Sequence, residues 1–227
     1  MSRPVALVTG ASRGLGAAIA RELSTTHRIL VGGTNPETVA DMVAELGDAA
    51  PFVADLRDDE ALAQATSEIS ELDVLVHNAG IELSHPVAET AREQWREIFE
   101  VNVFAVAELT RLLLPALRKR RGHIVAINSG SGYRSGANAA LYSGSKFALR
   151  ALTDAIREEE AGVVRVTSLH PGRADTDMQR AMWERDGVEY DGSKWMKPES
   201  FARAVRVAVD MPADANINDL RIVPTPR

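Results

Sequence analysis

The order of residues at the start of the chain leaves little choice of fold. Val5-Ala6-Leu7-Val8 is a short unbroken apolar run, the pattern of a strand buried on both faces, and Thr9-Gly10-Ala11-Ser12-Arg13-Gly14-Leu15-Gly16 follows it without a gap. Helix-forming sequence comes next. A strand running straight into a glycine-rich turn and a helix is the context of a dinucleotide site, because glycines permit a tight turn and close backbone approach. The new helix offers unpaired N–H groups and the positive end of its dipole to a phosphate. The spacing is G-x-x-x-G-x-G rather than G-x-G-x-x-G. A glycine-rich turn without a ligand is the plain alternative.

The pattern then repeats. Arg28-Ile29-Leu30-Val31 reads as a second strand, followed by Gly32-Gly33-Thr34 and a helix with Asn35 as cap and Pro36 in its first turn. Pro51-Phe52-Val53 is a third, leading to Asp55-Leu56, and Asp58 caps the helix after it. Asp73-Val74-Leu75-Val76 is a fourth, ending in His77-Asn78-Ala79-Gly80. Thr90-Ala91-Arg92-Glu93 has the form of a capping box, opening helical sequence that runs to Arg120 with a break near Asn102. The basic run Arg118-Lys119-Arg120-Arg121 suits a helix C-terminus. Ile124-Val125-Ala126-Ile127 is a fifth strand, and Val163-Val164-Arg165-Val166-Thr167-Ser168-Leu169 a sixth, closed by the turn His170-Pro171-Gly172. A last helix over 198–209 and an edge strand Leu220-Arg221-Ile222-Val223 complete the chain. This alternation, without repeat or linker, predicts an α/β fold: a single-domain, Rossmann-type, doubly wound parallel sheet over residues 1–227. Ligands in such sheets bind beyond the carboxyl ends of the strands.

Proton-transfer chemistry concentrates between Ser129 and Lys146. Tyr142 and Lys146 are four residues apart in helix-forming sequence, so both side chains project from one face, and Ser129 lies thirteen residues upstream just past the fifth strand. An ammonium beside a phenol favours the phenolate, so the tyrosine pKa is expected to fall towards neutrality. Alone, Tyr-x-x-x-Lys is a weak signal that an exposed aromatic with a lysine stem packed on it would also give. The serine and the distant glycine-rich turn change the balance. Asn102 sits among apolar residues, where its amide needs partners whether it is structural or reaches the site. His170 reads as a structural or solvated turn histidine rather than a base.

Residues 28–35 contain no acid to bind a ribose 2′-hydroxyl, whereas Arg13 can approach a 2′-phosphate with help from Thr34 or Asn35. NADP is therefore favoured over NAD, a solvated surface arginine being the competing explanation. The net charge of −6 gives no general attraction for nucleic acid or an anionic membrane. The chain has no cysteine, which excludes disulfides and thiolate metal sites, and no metal is expected. Neither a secretory segment nor an apolar run of membrane-spanning length is found, so a cytoplasmic enzyme is expected. Residues 173–197 mix Met178, Met182, Trp183, Tyr190, Trp195 and Met196 with Gly187 and Gly192, a composition suited to a mobile cover over an apolar substrate, or to an ordinary surface helix pair.

Taken together, these residues resemble the short-chain dehydrogenase/reductase family over about residues 4–210. Gly10, Ser12, Arg13, Gly14, Leu15 and Gly16 stand in what resembles its cofactor turn. Asp55 and Leu56 resemble its adenine-side contact, and Asn78, Ala79 and Gly80 a further signature. Pro171, Gly172 and Thr176 resemble the turn that holds the nicotinamide carboxamide. The resemblance implies that Tyr142 is the acid or base on the substrate oxygen and that Ser129 hydrogen-bonds that oxygen. It also implies that Lys146 binds the nicotinamide ribose and that Asn102 anchors a water in a proton relay. It departs at His77, where an asparagine is commoner, at Ala174, and at the C-terminus, which stops short of the tail many members have.

The resulting expectation is an NADP(H)-dependent oxidoreductase interconverting a small-molecule carbonyl and a secondary alcohol. Its rivals are a non-catalytic NADP-binding regulatory or scaffold protein and a nucleotide-sugar reductase or epimerase. A homodimer or homotetramer is expected through the helices over 95–120 and 141–161. Val103, Val106, Leu109, Leu113, Phe147, Leu149 and Leu152 exceed what one buried stripe requires there.

Overall fold

The computed structural model describes residues 3–185 and 187–225. Seven strands form one parallel sheet: β1 (Val5–Val8), β2 (Arg28–Gly33), β3 (Ala49–Val53), β4 (Val74–His77), β5 (His123–Ile127), β6 (Arg165–Pro171) and β7 (Asp219–Ile222), in the spatial order β3-β2-β1-β4-β5-β6-β7. The helices are α1 (Gly14–Ser24), α2 (Pro36–Leu46), α3 (Asp59–Thr66), α4 (Arg92–Phe99), α5 (Ala105–Arg120), α6 (Ala140–Glu159), α7 (Asp177–Arg185) and α8 (Pro198–Val209).

The apolar runs follow from burial on both faces. In β1, Ala6 and Val8 join one core with Ile19, Leu23, Val39 and Phe201, while Leu7 turns to the other with Leu109, Leu113, Leu117 and Ile156. Successive side chains thus serve opposite layers, and a polar residue on either side would sit in a core.

Chain order reverses at β1, which pairs with β2 on one side and β4 on the other. Connections diverge from that point, leaving a crevice at the carboxyl ends of β1 and β4. The segments after β1, β4, β5 and β6 all open on this edge of the sheet.

Several boundaries differ from the sequence reading. Gly32 and Gly33 belong to β2, paired with Phe52 and Val53, and not to a turn. A Cβ on Gly32 would lie 2.7 Å from the Val8 carbonyl oxygen, so β1 and β2 pass too closely for a side chain there. His170 and Pro171 end β6, opposite Arg221 and Ile222, because β7 extends the pairing that a turn would have broken. The expected box at Thr90 is displaced: Ala91 is the cap, its N–H donates to Gln94 Oε1 (2.9 Å), and the Thr90 hydroxyl donates to Pro86 O instead. Asn35 and Asp58 cap α2 and α3 as expected, each accepting two backbone N–H bonds. The break near Asn102 is a π-helical turn over Glu100–Phe104.

Candidate active site

The glycine-rich turn is built for close approach. Gly10 has φ +62° and Gly14 φ +57°, left-handed values that a side chain disfavours. A Cβ on Gly16 would lie 2.1 Å from Gly10 O. Arg13 caps α1 without a side-chain bond, and the first turn carries no acid. Its N–H groups and dipole therefore face the crevice free of an intramolecular anion, as a phosphate requires. The Arg13 side chain is exposed, with no hydrogen bond or ion pair among the described residues. Thr34 and Asn35 are exposed nearby in sequence after β2, but Asn35 Oδ1 already accepts from Glu37 N–H (2.8 Å) and Thr38 N–H (3.3 Å). Its remaining donors alone are left for a ligand.

Thr9 and Asn78 bolt this turn to the end of β4. Thr9 Oγ1 accepts from the N–H groups of Asn78 and Ala79, both at 3.0 Å, while Asn78 Nδ2 donates to Thr9 O (2.9 Å) and Gly10 O (3.2 Å). The Asn78 Nδ2 group is thus spent inside the protein. Asp55 is committed as well. Arg57 forks onto both its oxygens at 3.0 and 2.7 Å and, chiefly through these bonds, holds its carboxyl below the usual range. Leu56 packs on the core that holds Leu7 and Leu109.

Ser129 follows β5 in extended backbone and starts a 3-10 turn, Gly130–Gly132. Its hydroxyl accepts from Ser131 N–H (3.1 Å). Tyr142 and Lys146 share a face of α6, with Nζ 5.8 Å from the tyrosine ring centre. Lys146 is buried, and its Nζ donates to Ile127 O (3.1 Å), the last residue of β5. Burial lowers its pKa to about 8. Tyr142 does not follow the expected downward shift. Burial raises its pKa above the ordinary value, the neighbouring Ser129 hydroxyl acts in the opposite sense, and the charge on Glu82 adds to the rise. Lys146 is aimed at a carbonyl and not at the phenol, so desolvation wins. Glu82, which sequence reading missed, has a buried side chain paired with Arg185 of α7 at 3.1 Å.

Asn102 is fully engaged. Oδ1 accepts from Ile81 N–H (2.9 Å), and Nδ2 donates to Ile81 O (2.9 Å) and Ser145 Oγ (3.0 Å). A Cβ on Gly80 would lie 3.0 Å from Asn102 Oδ1 and 3.8 Å from Lys146 Nζ. The asparagine therefore pins the segment after β4 beside the lysine. His77 is a core residue: Nε2 meets Thr110 Oγ1 at 2.9 Å, and burial lowers its pKa to about 3, keeping it neutral.

The family model for short chain dehydrogenase matches residues 4–187. The chain belongs to the short-chain dehydrogenase/reductase family. It is 32% identical to dehydrogenase/reductase SDR family member 11 of Bos taurus over 244 aligned residues, 97% of this chain and 96% of that one. The alcohol dehydrogenase of the archaeon Thermococcus sibiricus, complexed with 5-hydroxy-NADP, superposes with a TM-score of 0.87 at 26% identity, covering 99% and 97% of the two chains. The closed form of serine dehydrogenase complexed with NADP+ gives 0.90 at 28% identity, covering 97% and 94%.

In this short-chain dehydrogenase/reductase the described part of residues 173–197 comes up to the glycine-rich turn through Thr176. Its described residues form one helix, α7, and a 3-10 turn (Gly192–Lys194) rather than a helix pair, with a bridge between Ala174 and Met196. Arg173 lies over Trp183 (5.7 Å) and Trp195 (5.1 Å), whose rings meet tilted at 5.6 Å. A Cβ on Gly14 would come within 3.8 Å of Thr176 Cγ2, so this segment reaches the glycine-rich turn. Gly172 N–H donates to Ile222 O (2.6 Å), and a Cβ there would lie 2.9 Å from Pro224 Cδ. The Pro171-Gly172 bend is thus fixed by the chain after β7. Among the described residues no helix is long and apolar enough to cross a membrane, and no cluster of three potential metal ligands exists.

Proposed function

We propose that the protein is an NADP(H)-dependent oxidoreductase that interconverts a carbonyl and a secondary alcohol, within one domain whose residues 173–197 cover the substrate. The observation that carries this reading is the convergence of Ser129, Tyr142 and Lys146 beside a glycine-rich turn at the carboxyl edge of one parallel sheet. NADP-bound relatives of similar fold support it.

Gly10, Ser12, Gly14, Leu15 and Gly16 would hold the pyrophosphate side of the cofactor, and Asp55-Leu56 the adenine side. Asn78-Ala79-Gly80, Lys146 and the Pro171, Gly172 and Thr176 bend would hold the nicotinamide half. When bound, the nicotinamide supplies or takes the hydride. Ser129 donates a hydrogen bond to the substrate oxygen, which the Ser131 N–H bond to its own oxygen favours by fixing the rotamer. Tyr142 gives that oxygen a proton in reduction and removes one in oxidation. Lys146 carries a positive charge up to pH about 8, next to the reacting group. A water in the proposed relay would sit on the backbone of the π-helical turn, since the Asn102 amide is already paired.

Arg13 is the expected 2′-phosphate ligand. Arg13→Ala should weaken NADPH by about ten- to a hundredfold, the loss of one charge-assisted hydrogen bond, and leave NADH almost unchanged. Fluorescence titration of both cofactors against both proteins measures this, and equal affinity of the wild type for NADPH and NADH would reject it. A screen of aldehydes, ketones and alcohols by NADPH absorbance tests the reaction class.

A homodimer is proposed on a smaller surface than the sequence suggested. Val106, Leu109, Leu113 and Leu149 are buried within the chain, because they line the inner faces of α5 and α6. Phe104 and Phe147 remain 53% and 44% exposed. Phe104 ends the aromatic row Trp95, Phe99, Phe104, spaced at 6.3 and 6.4 Å. Such a patch suits an isologous contact. Light scattering should give twice or four times the chain mass of 24.6 kDa, falling to one chain in a Phe104→Asp, Phe147→Asp variant. An active wild-type monomer would refute the assembly.

A further inference from the structure

We propose that His170 and Asp219 are positioning residues that clamp the Ser129 loop from the far edge of the sheet. The inference rests on the reading of Ser129 as the residue that holds the substrate oxygen. His170 is fully buried near the end of β6. Its Nδ1 lies 2.9 Å from Ser129 O, and its Nε2 lies 3.0 Å from Asp219 Oδ2 with Ser168 Oγ at 3.1 Å. A carbonyl oxygen only accepts, so Nδ1 meets Ser129 O with an N–H, while Nε2 faces the Asp219 carboxylate and the Ser168 hydroxyl. Asp219, at the start of the edge strand β7, accepts a second bond on Oδ1 from the hydroxyl of Tyr133.

Tyr133 ends the turn that Ser129 begins. Its ring lies 4.4 Å from the His170 ring, and the Arg150 guanidinium lies 4.4 Å from its centre. Asp219 thus stands at both ends of the loop: against the His170 ring that holds the Ser129 carbonyl, and on the Tyr133 hydroxyl directly. The Ser129 carbonyl also accepts from Gly132 N–H (3.0 Å), and the Ser129 N–H donates to Asn128 Oδ1 (2.9 Å). With the hydroxyl oxygen accepting from Ser131 N–H (3.1 Å), the fold fixes this serine at its N–H, its carbonyl and its hydroxyl oxygen, and leaves the hydroxyl proton on the side of the Tyr142 phenol. That proton is the one a substrate oxygen needs. Removing the clamp leaves the Ser129 carbonyl with a single donor and frees the residue to rotate.

The test separates positioning from bulk stability. His170→Leu fills the volume without a donor, whereas His170→Asn offers an amide N–H near the place of Nδ1. Asp219→Asn cuts the clamp from the partly exposed edge and serves if the leucine variant fails to fold. Expected results are a fall in kcat for carbonyl reduction of about tenfold or more in His170→Leu, with the NADPH dissociation constant unchanged, and recovery of most of that loss in His170→Asn. Amide exchange at Ser131 and Gly132 should quicken in His170→Leu and Asp219→Asn and return towards wild type in His170→Asn. Wild-type kcat and exchange in the leucine and Asp219→Asn variants would overturn the proposal. So would an asparagine variant as impaired as the leucine one, with kcat tracking melting temperature. A wild type that turns over no carbonyl with NADPH would reject the functional reading alone, and the exchange measurements would still decide the clamp.

Discussion

Replacing Tyr142 with Phe is expected to lower kcat for carbonyl reduction by on the order of a thousandfold while NADPH still binds, because the general acid is lost and little else. The ring is half-buried on α6 and Phe keeps its packing, so the fold should tolerate the change. The phenol stands beside the Ser129 hydroxyl, and burial raises its pKa above the ordinary value. Reduction consumes the phenolic proton, so this shift keeps the acid loaded through neutral and mildly alkaline solution. Lys146 loses its proton first as pH rises, at about 8. On the proposed reading its ammonium contributes to cofactor binding, so NADPH affinity should decline as pH passes about 8, and reduction at limiting cofactor with it. Alcohol oxidation needs the phenolate and should continue to climb at higher pH. Steady-state rates in both directions, with NADPH titrations at each pH, measure these trends. A Tyr142→Phe enzyme with ordinary kcat would reject the assignment.

Gly16→Ala is expected to cost stability and cofactor affinity together. The added Cβ would lie 2.1 Å from Gly10 O, 2.8 Å from Gly10 C and 2.5 Å from Asn78 Nδ2. Two of these are backbone atoms, and the third is the amide that bolts the turn to β4, so no flexible chain end can yield. Overpacking of this kind costs typically about 1–3 kcal/mol, and relief requires moving the Gly10 bend away from Asn78. That movement would spoil the approach of the backbone to a pyrophosphate. Gly136, with open space around its Cβ direction and no left-handed φ, is the control: Gly136→Ala should leave both properties near wild type. Urea unfolding and NADPH titration of the three proteins measure the difference. A Gly16→Ala protein as stable and as tight-binding as the wild type would show that the turn accommodates a side chain.

The sequence by itself determined the strand and helix order and the placing of Gly10 to Gly16, Asn78 to Gly80, Ser129 and Gly172 after strands. These follow from local rules: apolar runs must be buried, glycines mark close approach, and Asn35 and Asp58 satisfy N–H groups within three residues. Tertiary structure decided what depends on partners distant in the chain. His170 reads as a turn residue because His-Pro-Gly looks like one, yet β7, arriving some fifty residues later, extends the strand and supplies Asp219. Asn102 offers a choice in sequence, and only its pairing with Ile81 and Ser145 shows where the amide is spent. The shift at Tyr142 was misjudged from spacing alone, since four residues on a helix fix which face Lys146 shares but not where Nζ points. In the fold it turns to Ile127 O, and burial sets the direction of the tyrosine pKa. Likewise, Val106, Leu109, Leu113 and Leu149 look like surplus apolar surface, yet all four are buried within the chain, Leu109 and Leu113 in the core with Leu7, Leu75 and Ile124 of the sheet. Periodicity reports that a face is apolar; which neighbour buries it is a property of the packed sheet and helices.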